Sequence, residues 1–194
     1  MFLLSKPSTE TVSRFLSSVS SQTFSYSQVG ATNGTPPTDY ILDHNRIQLG
    51  VGSNVYERAI AALQRWRQFD LGWVSIVPDT TPLEVGNTVA IRAKTFGVWS
   101  LSACRIVYVM DESTPLHKFG FAYGTLNSHV ERGEERFTVE LHEDGSVWYD
   151  ILAFSQPNQL LVRMGYPLAR KLQKRFARES LSRMVAIANA PNIK

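Results

Sequence analysis

From Trp73 to Pro157 the chain alternates apolar and polar side chains in short runs, punctuated by Gly, Asn, Asp and Pro. A period of two marks strands with one buried face. The pattern predicts strands near 73–77, 88–95, 98–110, 119–127, 134–142 and 146–154, with "EVGN" at 84–87 linking the first pair. "EDGS" at 143–146 predicts a type I′ hairpin, because Asp-Gly supplies the positive φ angles that turn needs. No connection is long enough for a parallel crossover, so an antiparallel meander is expected. "YILDHNRIQLG", residues 40–50, predicts one more strand upstream.

Three segments change to a helical period. "KPSTETVSRFLSSV", residues 6–19, opens with Pro7 and carries Glu10 in its first turn, where the helix dipole favours an acid. Residues 53–70 place Ala59, Leu63 and Trp66 on one face. Ser53 or Asn54 is expected to cap this helix, Glu57 to complete a capping box with Asn54, and Gly72 to end it. Residues 158–187 carry an apolar stripe of Leu161, Met164, Leu168, Leu172, Phe176, Leu181 and Met184, and Pro167 should kink or divide this helix.

The order is therefore helix, strand, helix, six strands, long helix. A sheet with one face to cover and a long amphipathic helix to cover it makes an α+β fold. The element order resembles the helix-grip fold of START-like and Bet v 1-like proteins, in which a curved sheet wraps the last helix. That resemblance implies a cavity between sheet and helix. The domain organisation expected is an N-terminal helical extension over 1–23 packed on the domain, one helix-grip domain over 24–188, and a tail at 189–194.

Composition narrows the class. The chain has 194 residues, 43% hydrophobic and 19% charged, which suits one globular core. A single cysteine, Cys104, excludes an intramolecular disulfide and a cysteine-based zinc cluster. Nothing approaches ~18 consecutive apolar residues, so no membrane span is expected. The serine-rich start contains Glu10 and a helical pattern, so it reads as structure rather than a targeting segment, and a cytoplasmic location is expected. Net charge is +3, yet residues 163–183 alone hold seven basic side chains and one acid. Arg170, Lys171, Lys174 and Arg178 are thus candidates to meet an anionic surface or partner. No RNA-binding signature accompanies them, so nucleic acid is not an expected partner.

The densest chemistry lies in "FAYGTLNSHVERGEERFTVEL", residues 121–141. Phe121, Tyr123 and Thr125 share one strand face, and Gly120, Ala122 and Gly124 share the other, where a neighbouring element could approach closely. His129, Glu131, Glu134 and Glu135 are expected at a hairpin end, with Gly133 as the turn. A polar rim is the plainest reading of this group. An acid–base site of Tyr123, His129 and Glu135 is the sharper one. No second cluster with ligand spacing accompanies it, and no metal or cofactor is expected. "DHN" at 43–45 sets Asp and His on opposite strand faces, a poor dyad. "LGVGSNV" at 49–55 lacks both the third glycine and the βαβ context of a dinucleotide loop. The cavity lining expected is Trp66, Trp99, Arg105, Phe121, Tyr123, Thr125 and Tyr149.

The stretches "FSYSQVGAT" (24–32), "LGVGSNVYERAIAALQRWRQFDLGW" (49–73), "CRIVYVMDE" (104–112), "GFAYGTLNSHVERGEERFTVEL" (120–141) and "ILAFSQP" (151–157) resemble the UPF0548 family of bacterial and plant proteins, a domain of unknown function. The resemblance runs from Phe24 to about Met184 and implies an intact domain. It carries over no activity, ligand or catalytic residue. Binding of a small apolar or amphipathic molecule in the grip cavity is the function expected. The alternatives are an enzyme of cyclase, hydrolase or isomerase type in the same cavity, and a basic-helix protein on an anionic surface.

Overall fold

A computed structural model describes residues 1–114, 116–158 and 166–190. In chain order its elements are β1 (Phe2–Leu3), α1 (Thr9–Val19), β2 (Ile41–Val51), α2 (Ser53–Gln64), β3 (Val74–Val77), β4 (Thr88–Thr95), β5 (Val98–Glu112), β6 (His117–Thr125), β7 (Glu131–Leu141), β8 (Ser146–Pro157) and α3 (Tyr166–Ala188). The strands form one antiparallel sheet in the order β2-β8-β7-β6-β5-β4-β3, with β1 paired to β5. The curved sheet grips α3, the helix-grip arrangement expected from the element order. Among the described residues, no helix is long and apolar enough to cross a membrane.

α1 lies on the outer face of the sheet. Ser8 caps it by accepting from the Thr11 amide at 3.2 Å, and Val12 and Val19 bury against Ala90, Leu101 and Ala103. α2 ends earlier than its period suggests. The chain turns at Trp66 (φ 56°) and continues as a 3-10 turn over Arg67–Phe69. A bulky residue rarely adopts that angle. Here it drives both aromatic rings inward, and the Trp66 indole donates to the Thr81 carbonyl at 2.8 Å. Neither Ser53 nor Asn54 caps α2. Gly52 stands at the N-cap, held by its amide's bond to the Gly145 carbonyl at 2.8 Å.

Pro167 stands in the first turn of α3 as described, a position that tolerates its missing N–H. The part of the expected helix at 159–165, with Leu161 and Met164, lies outside the described residues. Leu168, expected on the stripe, is exposed, whereas Ala177, Ser180, Met184 and Ala188 are buried. The turn after β7 is also not type I′. Asp144 keeps a negative φ, and Gly145 alone is left-handed (φ 79°), as in a three-residue loop. Two positive φ angles occur instead at Phe96 (50°) and Gly97 (82°), which join β4 to β5 with Thr95 opposite Val98.

Between sheet and helix, aromatic rings fill one end of the interior. Trp66 meets Phe121 with ring centroids 4.9 Å apart, Phe121 meets Phe137 at 5.3 Å, and Phe69 meets Phe176 at 4.8 Å. Beyond this plug the facing side chains are small: Ala93, Ser100, Ser102, Cys104, Ala153, Ser155 and Ala177. The space they leave is the candidate site.

Candidate functional site

The cavity has a volume of about 720 Å³. Its floor is built in two rows that cross the sheet. One row runs Ile106–Tyr123–Glu135–Ala153–Asp43 and the next Cys104–Thr125, then Gly133–Ser155. Phe176, Ala177 and Leu181 of α3 roof it, and Phe69, Trp73, Val74 and Ile91 close its sides. The walls are thus mostly apolar, with polar groups concentrated on the floor.

Tyr123 donates its phenol to Glu135 Oε2 at 2.6 Å, a cross-strand pair on the cavity face. Burial in these apolar surroundings raises the Glu135 carboxyl from 4.5 to about 7, and the Tyr123 bond offsets only part of that effect. The same burial, reinforced by Glu135, holds the Tyr123 phenol well above its ordinary value. Cys104 is fully buried beside them, and desolvation pushes its thiol up, so it is a neutral wall residue.

Hydrogen bonds tie α3 to the floor's far edge. Arg170 grips Asp43 through two nitrogens and also donates to Gln173. Gln173 donates to Glu131 at 2.9 Å and to Ser155 at 3.2 Å. Burial raises the Glu131 pKa, against the pull of Gln173 and Arg170. His129 accepts from the Glu131 amide through Nδ1 at 3.0 Å. Burial lowers its pKa to about 4, so the imidazole is neutral at physiological pH.

The stretch that looked like a hairpin tip is therefore divided differently. The turn lies before Glu131, and Gly133 is inside β7, packed so tightly that a Cβ would meet the Phe154 carbonyl at 1.9 Å. Glu131 and Glu135 face the cavity. Glu134 faces outward and grips the segment before β2. It accepts from the Tyr26 phenol (2.7 Å), the Gly30 amide (2.7 Å), the Thr32 amide (2.9 Å) and the Thr32 hydroxyl. Tyr26 reaches it across Gly124, whose missing side chain leaves the gap.

Of the residues singled out from the sequence, Tyr123, Thr125, His129 and Glu135 line the cavity together. Trp66 and Phe121 lie in the aromatic plug, and Tyr149 is buried with its hydroxyl 3.0 Å from Ser180 Oγ. Arg105 faces away from the cavity and donates to the Thr88 hydroxyl and the Ser20 and Gln22 carbonyls, anchoring the end of α1. Trp99 is on that outer face too, with Lys94 over its ring. Asp43 and His44 part as strand geometry requires, Asp43 to Arg170 and His44 to Asp150 on the outside. Lys174 and Arg178 stand at the cavity rim, while Lys171 is exposed. Asp43 and Gln173 were not anticipated as lining. Only Gln173 carried a local signal, as a polar residue between Leu172 and Phe176.

Sheet, grip helix and floored cavity define a helix-grip protein with an interior large enough for a small organic molecule. The chain belongs to the UPF0548 family, and residues 25–183 match the domain of unknown function DUF1990. A UPF0548 protein from Dictyostelium discoideum is 36% identical over 100% of this chain and 99% of its own length. Hypothetical protein jhp0584 from Helicobacter pylori shares the fold with TM-score 0.56 at 9% identity, covering 81% of this chain and 94% of that one. The di-domain ARO/CYC BexL from the BE-7585A biosynthetic pathway gives TM-score 0.50 at 15% identity, over 83% of this chain and 53% of that one.

Proposed function

We propose that this protein binds a small, mainly apolar or amphipathic molecule between the sheet and α3. The observation that carries this reading is the cavity of about 720 Å³ with aromatic and aliphatic walls and a few convergent polar groups. An empty apolar space of that size would cost packing energy that a ligand restores. Tyr123, Thr125 and Glu135 would orient the ligand's polar end.

The test is native mass spectrometry of gently purified protein, followed by denaturing extraction. A stoichiometric small molecule is the expected result. Ala153→Phe places a ring over the floor beside Glu135 and should abolish that adduct, with the near-ultraviolet circular dichroism retained. An adduct undiminished by Ala153→Phe would overturn the reading.

One observation favours a second reading. A carboxyl of pKa about 7 beside a phenol is poised for proton transfer at neutral pH. On that reading the protein is an enzyme of cyclase, hydrolase or isomerase type, with Glu135 as base and Tyr123 as its partner. His129, neutral and engaged through Nδ1, would position the turn. Turnover of the extracted molecule, lost in Glu135→Gln, would establish it. Turnover unchanged in that variant would exclude it.

A further inference from the structure

The open end of the cavity is apolar in a way the rest of the surface is not. The β4–β5 hairpin runs past the end of β6 toward this side, carrying the cavity residues Ala93, Ser100 and Ser102. Its tip presents Phe96, 80% exposed, and Val98. β1 pairs alongside with Phe2 opposite Ser100, so Phe2 is on the cavity's side of the sheet, and Leu4, 91% exposed, follows beyond the pair. Across the mouth, Ile41 and Leu42 begin β2 and Leu168 begins α3, all exposed. Among the described residues, seven of the eleven large exposed apolar side chains thus stand at this one end. Val51 and Val85 lie at the opposite end.

Phe96 is singular in another respect. It occupies a left-handed turn position (φ 50°) that favours Asn, Asp or Gly. A phenylalanine there gains no burial within the chain and carries backbone strain. Neither packing nor turn chemistry accounts for it, but a hydrophobic medium outside the protein would.

The charge at the same end is complementary to one such medium. On α3, Arg170 pairs with Asp43, Arg175 with Glu179 and Arg183 with Asp70. Lys174 and Arg178, which line the cavity rim, and the exposed Lys171 hold no carboxylate in an ion pair among the described residues. At the hairpin, Lys94 lies over Trp99, a ring-and-cation pair suited to a headgroup layer. Exposed apolar side chains flanked by α3 cations that form no ion pair among the described residues fit the boundary of an anionic bilayer.

We propose that the open end of the cavity docks on an anionic lipid surface, with Phe96, Val98, Phe2 and Leu4 entering the headgroup–acyl boundary and Lys174 and Arg178 meeting the headgroups. The cavity mouth then faces the membrane, and an amphipathic ligand could pass between them without crossing water. The docking surface does not depend on what fills the cavity, so it stands or falls separately from the binding reading.

The test is flotation of the full chain with phosphatidylcholine vesicles, with and without phosphatidylserine, over a range of salt. Binding is expected only with phosphatidylserine, and it should weaken as salt rises. Lys174→Gln with Arg178→Gln should lower partitioning about thirtyfold, from about 1 kcal/mol per basic residue near such a surface. Leu4→Asp with Phe96→Asp should abolish it, and Val85→Asp, exposed at the far end, should leave it unchanged. Absence of flotation at low salt would overturn the proposal, as would equal flotation of all variants. If Leu4→Asp with Phe96→Asp instead dissolves a concentration-dependent dimer, the patch belongs to a second copy and the membrane assignment is wrong.

Discussion

Glu135→Gln isolates the energetic cost of the cavity floor. The native carboxyl titrates near 7 instead of its ordinary 4.5, chiefly because burial disfavours its charge. Between those values the unfolded chain gives up a proton that the folded protein retains. Stability therefore falls as pH rises through that window, is unaffected below it, and is fully reduced above it. At 1.36 kcal/mol for each tenfold change, the loss is at most about 3 kcal/mol, reached near pH 8. Glutamine keeps the shape and can still accept from the Tyr123 phenol, so the variant loses the charge penalty and little else. Urea denaturation of both proteins at pH 4, 6 and 8 is the assay. At pH 4 the midpoints should coincide. By pH 8 the variant should be the more stable by up to about 3 kcal/mol, with the m-value unchanged. A difference of constant size across pH, or a variant less stable at pH 8, would show that Glu135 is not a desolvated carboxyl and would refute the reasoning. Carboxyls remote from Glu135 cancel between the two proteins, and coupling to Glu131 and Asp43 is a lesser contribution than the burial of Glu135 itself.

Three further outcomes follow from the same geometry. Glu134→Ala removes the acceptor shared by Tyr26, Gly30 and Thr32, and should destabilise by about 3 kcal/mol, with faster hydrogen exchange at the Gly30 and Thr32 amides. Gly124→Ala puts a methyl 2.1 Å from the Tyr26 hydroxyl, and should lower stability by about 1–3 kcal/mol in thermal or urea unfolding. His129, held down to about 4 from 6.5, should show imidazole NMR shifts that are flat above pH 5. The unfolded chain takes up that proton first, so His129 adds to the loss of stability as pH falls from 6.5 toward 4.

The strand meander was legible because alternation survives wherever one face is buried, and β4 and β5 fall close to their expected limits. The helix ends were less legible. At Trp66 the pull of two aromatic rings toward the core overrode a helical period that still continued in the sequence. The "EDGS" turn misled because Asp-Gly suits more than one hairpin loop, and the Asp144 carboxylate's bonds to Ser146 support the longer one. Strand parity placed Tyr123 and Thr125 in the cavity, and the same rule sends Arg105 and Trp99 outward.

By itself, the sequence determined the kind of the main elements, their antiparallel order and the side of each strand that meets the core, although it did not announce β1. These follow from local periods and from the length of the connections. Tertiary structure alone decided which polar groups share a space. Glu134 and Glu135 are neighbours in the chain, yet one anchors a loop outside and the other floors the cavity. Asp43 reaches Arg170 and Glu131 reaches Gln173 only because the sheet curls around α3. The raised pKa of Glu135 has the same origin, since it depends on walls contributed by distant segments that exclude water from a single carboxylate.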